Sequence, residues 1–217
     1  MTGRLSPVTR RSPGHEHCDA CPVAAPFLQQ SHGAVVVLSI SVIAFLVGEL
    51  WQAFRLRRGV APASVVGEVL FRLLFFAGLL LLPLGASVAP GAVVPGGVDA
   101  FVVGAVAGWL GLLLRWWCFV ALGRYFTVVV KATSDQAVVE RGPYRFLRHP
   151  SYTGLLLAVL GCGVMLGNWV GILAAFAVVL AAVVCRLRIE ERALVASLGE
   201  AYRVFAEHRA RLVPFIW

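Results

Sequence analysis

"YTGLLLAVLGCGVMLGNWVGILAAFAVVLAAVVC" occupies residues 152–185 and contains no charged side chain. The hydrocarbon core of a bilayer takes roughly 20 helical residues, so this run is too long for one crossing and too apolar for an ordinary soluble core. Gly167 and Asn168 lie near its middle, and that pair favours a turn over a helix interior. The stretch therefore reads as two helices, 152–166 and 169–185, joined in a tight hairpin inside a membrane.

Working outward, windows of about 19 residues find three further apolar runs at 33–54, 65–84 and 98–122. The expectation is an all-α integral membrane protein with five transmembrane helices. Composition agrees: 59% of residues are hydrophobic and 14% charged, against about 45–50% and about 25% in soluble domains. The mean hydropathy is +0.84. Residues 1–32 have no continuous apolar core, so they read as an extramembrane tail without stable structure, and 33–217 as one membrane domain. No signal peptide is evident, which leaves the first apolar run as the targeting signal.

The net charge of +8 comes almost wholly from arginine, since Lys131 is the only lysine. Arg55, Arg57 and Arg58 follow the first run. Arg124, Lys131, Arg141, Arg145 and Arg148 follow the third, and Arg186, Arg188, Arg192, Arg203, Arg209 and Arg211 follow the fifth, whereas residues 85–97 carry no charge. By the positive-inside rule the basic segments face the cytoplasm and the N-terminus lies outside. The basic residues read as contacts to membrane lipids, and no soluble face remains to bind nucleic acid. Leu187, Leu194, Leu198, Tyr202 and Phe205 recur at helical spacing with Gly199 between them, so one or two cytoplasmic amphipathic helices should follow the fifth span. Pro214, Phe215, Ile216 and Trp217 suggest a return to the interface. The wealth of Arg, Ala, Val and Gly points to a prokaryotic cell membrane.

Ionisable residues inside spans are costly and often functional. Glu68 and Arg72 are four apart and should form a structural ion pair. Glu49 has Arg55 or Arg57 within reach. Arg115 is open between contacting a substrate headgroup or cofactor carboxylate and snorkelling to the interface. Gly104, Gly108 and Gly111 permit close helix contact and a lipid-sized groove. Cys118, Cys162 and Cys185 read as small hydrophobes. In the N-terminal tail His15, His17, Cys18 and Cys21 have zinc-compatible spacing; metal binding, a Cys18–Cys21 disulfide and an unstructured tail all stay open, and no metal site is assigned.

The polar chemistry concentrates in 123–152 and 186–217. "LGRYFT" at 122–127, "GPYRFLRHPSYTG" at 142–154, "RLRIEERAL" at 186–194, "LGEAY" at 198–202 and "LVPFIW" at 212–217 together resemble the isoprenylcysteine carboxyl methyltransferases and their prokaryotic relatives. That resemblance implies an integral-membrane methyltransferase using S-adenosylmethionine, with the cofactor on the cytoplasmic side and a lipophilic or lipidated substrate entering from the bilayer. It implies cofactor contacts at Gln136, Ala137, Val138, Val139, Tyr144, His149, Pro150, Ser151, Tyr152 and Glu190, with Glu191 counted beside them. Arg186 would face the acceptor carboxylate, and Arg115, from its place in the third span, is kept as a second candidate for substrate contact. Gln136 stands where the family usually has His.

Physical reading of the same residues is compatible. S-adenosylmethionine needs hydrogen-bond acceptors, donors and flat apolar surface in one pocket. His149 and Tyr152 can bond and stack, Glu190 can accept, and proline at 143 and 150 should leave backbone groups exposed. Arg186 and Glu190 share one helix face at i, i+4, which would make them the catalytic pair. An α-carboxylate acceptor, with a reference pKa of about 3.5, arrives ionised and needs no base. A phospholipid amine or a thiol would need one, and Glu190 or Glu191 could serve. These acceptors stay open as alternatives, as does a non-catalytic transporter or assembly protein, although concentrated polarity at one interface counts against a transporter.

Overall fold

The structure, a computed structural model, describes residues 27–56, 65–122 and 140–213. Seven α-helices carry them: α1 Phe27–Gln30, α2 His32–Leu56, α3 Val65–Val88, α4 Gly97–Leu122, α5 Pro150–Leu166, α6 Trp169–Leu198 and α7 Glu200–Glu207. Each of the five apolar runs is a helix. Among the described residues α2, α3, α4 and α6 are long and apolar enough to cross a membrane. At 17 residues, α5 reaches about 25 Å, a little less than the hydrocarbon core. All five expected apolar helices are present, four of them of full spanning length and α5 at the short end of the range of about 17–25 residues.

α4 lies along α5 and α3 along α6, and glycine sets both distances. A Cβ on Gly161 would stand 2.3 Å from the Gly108 nitrogen and 2.5 Å from the Gly104 oxygen. One on Gly111 would meet the Gly154 oxygen at 2.5 Å. The close contact expected of Gly104, Gly108 and Gly111 is therefore made, against α5. Across the other pair, a Cβ on Gly85 would meet the Gly171 nitrogen at 2.3 Å. Such backbone approach suits helices in lipid, where association relies on packing.

The α5–α6 hairpin turns where Gly167 and Asn168 stand. Gly167 takes the left-handed conformation (φ 73°), which costs glycine little. Asn168 caps α6 by accepting from the Gly171 N–H at 2.9 Å, and its amide donates to the Ala89 carbonyl at 2.8 Å. The Val94 N–H bonds the Gly167 carbonyl and the Trp169 N–H the Ala92 carbonyl, so both turns at this end are tied together. Phe75, Leu155, Leu156, Val159, Val179, Val183, Leu187 and Leu212 form the main core. Valines, leucines and tryptophans along α2, α3 and α4 stay exposed, as lipid-facing residues should.

Three expectations need correction. The fifth helix does not end near residue 185: α6 runs 30 residues to Leu198, because no glycine or proline interrupts before Gly199. The amphipathic segment is thus the end of α6 plus the eight-residue α7. The prolines do not expose backbone either. Pro143 sits in a 3₁₀ turn, Gly142–Arg145, and Pro150 opens α5, positions where the missing N–H has no helical partner to lose; both are buried. Finally, residues 27–32 do not belong to a loose tail. Phe27 of α1 meets Phe101 of α4 edge-on at 5.6 Å. His15, His17, Cys18, Cys21 and residues 214–217 lie outside the described residues.

Candidate functional site

At the end of the bundle where α3 begins, α5 begins and α6 emerges, polar side chains from distant parts of the chain converge. His149 is the N-cap residue of α5 and is 5% exposed. Its backbone N–H donates to the Arg211 carbonyl at 3.1 Å, and the Arg148 N–H to the Ala210 carbonyl at 2.8 Å. Arg148 Nε donates to the Arg209 carbonyl, and Thr153 Oγ1 to the Leu212 carbonyl. Residues 209–212 are thereby laced across the start of α5.

Glu191 pins this lacing from α6. It accepts from Arg148 Nη1 at 3.2 Å and from Arg211 Nε at 3.1 Å, and lies 3.7 Å from His149 Nε2. Glu190 is used differently. One of its oxygens accepts from the Tyr152 hydroxyl at 3.0 Å, and among the described residues no cation stands within ion-pair distance of it. Arg186, one turn earlier on α6, is 9% exposed and pairs with Glu68 Oε2 of α3 at 2.8 Å. The other Glu68 oxygen takes Arg72 Nε at 2.7 Å, so the expected Glu68–Arg72 pair exists and is the outer half of a triad.

Among the described residues three buried side-chain atoms here accept or donate no hydrogen bond, His149 Nε2, the Tyr202 hydroxyl and Arg209 Nε, with Glu191 standing 3.7 Å from the first. Burying such a group unsatisfied costs on the order of 1–3 kcal/mol. Tyr202, on α7, faces the Glu191, Arg148 and Glu190 charges, and burial pushes its phenol well above the ordinary value. Tyr144 is likewise raised by burial; it packs with Cys118 and Ala121 against the end of α4.

Arg115 is enclosed, at 5% exposure. Its Nε and Nη2 donate to the two Glu49 oxygens, the latter at 2.9 Å, and its Nη1 donates to the Ser151 carbonyl and hydroxyl at 3.1 and 2.8 Å. It neither snorkels nor points outward; it joins α2, α4 and α5. Arg55 and Arg57, the partners expected for Glu49, lie outside the described side chains. Of the sequence-derived candidates, the structure gathers Tyr144, His149, Pro150, Ser151, Tyr152, Arg186, Glu190 and Glu191 at this one end. Gln136, Ala137, Val138 and Val139 lie outside the described residues.

Known proteins resemble parts of this chain. Residues 100–201 match the family model described as "Phospholipid methyltransferase". Over 109 residues, 49% of this chain, it is 36% identical to protein-S-isoprenylcysteine O-methyltransferase A of Arabidopsis thaliana, covering 55% of that protein. It is 33% identical over 109 residues to the Schizosaccharomyces pombe protein-S-isoprenylcysteine O-methyltransferase, 49% of this chain and 46% of that one.

The chain spans about half the length of these relatives. The fold extends the likeness. A solved eukaryotic intramembrane Ras methyltransferase, isoprenylcysteine carboxyl methyltransferase, superposes with a TM-score of 0.53 at 24% identity, covering 90% of this chain and 70% of that one. The segment matched by the family model holds Arg115, His149, Tyr152, Arg186, Glu190 and Glu191, but their partners Glu49, Glu68 and residues 209–212 fall outside it. Those partners, and Tyr202, were missed by sequence reasoning. Glu49 and Arg115 are 66 positions apart, and no local pattern joins them. The i, i+4 spacing of Glu68 and Arg72 gave Glu68 one partner and hid the second.

Proposed function

We propose that this chain is an S-adenosylmethionine-dependent membrane methyltransferase that methylates the carboxylate of an isoprenylcysteine-like lipophilic substrate, with its site on the cytoplasmic side. The observation that carries this reading is the pair of buried polar atoms without a hydrogen bond among the described residues, His149 Nε2 and Tyr202 Oη, beside Glu190, which among those residues accepts one hydrogen bond, from Tyr152. A cofactor rich in hydroxyls, amines and ring nitrogens fits that donor and acceptor set. Glu190, His149 and Tyr152 would hold it, with Tyr144, Pro150 and Ser151 shaping the pocket and Gln136, Ala137, Val138 and Val139 adding contacts. Glu191 serves by fixing Arg148 and Arg211.

S-adenosylmethionine, when bound, supplies a methyl group already activated by its sulfonium. What remains for the protein is to position the acceptor and exclude water. Arg186 orients the acceptor carboxylate, which is ionised near neutrality and needs no general base. The lipid portion has a place to lie: an apolar cleft between α2, α4 and α5 is lined by Leu38, Phe45, Leu46, Trp109, Leu112 and Val159. Methylation of a phospholipid amine is the second reading, favoured by the family's description, with Glu190 as base.

The deciding experiment is calorimetric titration of S-adenosylhomocysteine into detergent-purified protein, with Glu190→Ala and His149→Ala alongside, followed by methyl transfer to an N-acetylated S-prenylcysteine and to phosphatidylethanolamine. Binding by the parent but neither variant, with transfer to the prenylcysteine, is the expected result. Arg186→Met should bind the cofactor product and transfer slowly. Parent-like affinity in both Glu190→Ala and His149→Ala would refute the site, and transfer only to the phospholipid would establish the second reading.

A further inference from the structure

Arg186 and Glu190 are four residues apart on one continuous helix, the spacing at which opposite charges ordinarily pair. Here they do not. Arg186 reaches across to Glu68 of α3, at 2.8 Å, while Glu190 takes the Tyr152 hydroxyl of α5, at 3.0 Å. Arg186 is ion-paired to α3 and Glu190 is hydrogen-bonded to α5, with Tyr152 lying beside both. The environment makes the separation consequential, because Arg186 is 10% and Glu68 18% exposed by side chain, and charges attract more strongly away from water.

We propose that Glu68 is a positioning residue that holds Arg186 apart from Glu190, so that the guanidinium stays available to an anionic acceptor and the Glu190 carboxylate to the cofactor. Glu68's role presupposes that Arg186 and Glu190 serve acceptor and cofactor as proposed above. Arg72, on the second Glu68 oxygen, keeps that carboxylate facing inward. Without the Glu68 charge, the nearest anion for Arg186 along its own helix is Glu190, one turn on, and closing that pair would block both functions together. Glu68 lies outside the segment matched by the family model, which begins at residue 100.

The test is a double-mutant cycle read by calorimetric titration of S-adenosylhomocysteine into the full-length protein, comparing the parent, Glu68→Gln, Arg186→Met and the double variant. Glu68→Gln should bind about tenfold more weakly than the parent, or ~1.4 kcal/mol. Arg186→Met and the double variant should bind like the parent, since no guanidinium is left to capture Glu190. Equal weakening by Glu68→Gln in both backgrounds would mean that Glu68 only braces α3 against α6, and parent-like binding by Glu68→Gln would likewise overturn the idea. If Glu68→Gln does not fold, Glu68→Asp, whose carboxylate is withdrawn by about 1.5 Å, should show a smaller weakening that Arg186→Met again abolishes. Loss of binding by the parent itself would instead remove the cofactor reading, and Glu68's role with it.

Discussion

Substituting Gly161 by alanine tests the packing on which the site rests. The added methyl would begin 2.3 Å from the Gly108 nitrogen and 2.5 Å from the Gly104 oxygen, where ordinary contact starts near 3.4 Å. Both obstacles are backbone and cannot rotate aside, so α4 and α5 must part by about 1 Å or slide. Overpacking of this kind costs ~1–3 kcal/mol. At roughly 2–4 °C per kcal/mol for a chain of this size, thermal unfolding in detergent should fall by about 4–8 °C for a mid-range cost. Gly91, whose Cβ would meet nothing within 4 Å, supplies the control. Separation should also weaken S-adenosylhomocysteine binding, because α5 carries His149 and Tyr152 and the Arg115 clamp to Ser151 spans the same interface. A Gly161→Ala protein that unfolds with Gly91→Ala would refute the reasoning: the two backbones would not be in the contact described.

Further outcomes follow from the buried charges. Glu49→Gln should cost about 3 kcal/mol by leaving Arg115 without its counter-charge, and adding Arg115→Met should recover part of that loss; additive losses measured by chemical denaturation would contradict the pairing. Glu191→Gln should loosen residues 209–212, seen as at least about tenfold faster amide exchange at Arg148 and His149; unchanged protection there would show that Glu191 is dispensable to the lacing. Burial raises the Tyr202 phenol above its value of about 10 when unfolded. Its contribution is therefore complete below pH ~10 and is lost as pH climbs toward the folded value. Unfolding temperature should drop above pH ~10, and Tyr202→Phe should flatten that drop; an equally steep profile in the variant would argue against Tyr202 as the titrating group.

The helical hairpin of α5 and α6 was legible because its cause is local: Gly167 and Asn168 interrupt an unbroken apolar run. The glycines of α4 announced close contact for a similar reason, since small residues in a span have few other uses. Arg186, Glu190 and His149 are proposed from motif resemblance, and the structure adds which side chains stand beside each. The extent of α6 was misjudged because hydropathy ends near residue 185 whereas helix propensity continues, and only the second sets where a helix stops. Glu49 with Arg115 and Glu68 with Arg186 were hidden by distance along the chain. A buried charge will find a partner, but sequence does not say which one the helix packing brings near.

Residues 209–212 give their backbone carbonyls to Arg148, His149 and Thr153, although all five apolar helices described above precede them in the chain. During synthesis all of these helices can enter the bilayer before those carbonyls leave the ribosome. A chain halted after α6 would be fully embedded and yet lack the strap that orients His149. Membrane insertion and completion of the site are thus separate events, and pulse-labelled nascent chains of increasing length should acquire protease-resistant helices well before they can retain S-adenosylhomocysteine.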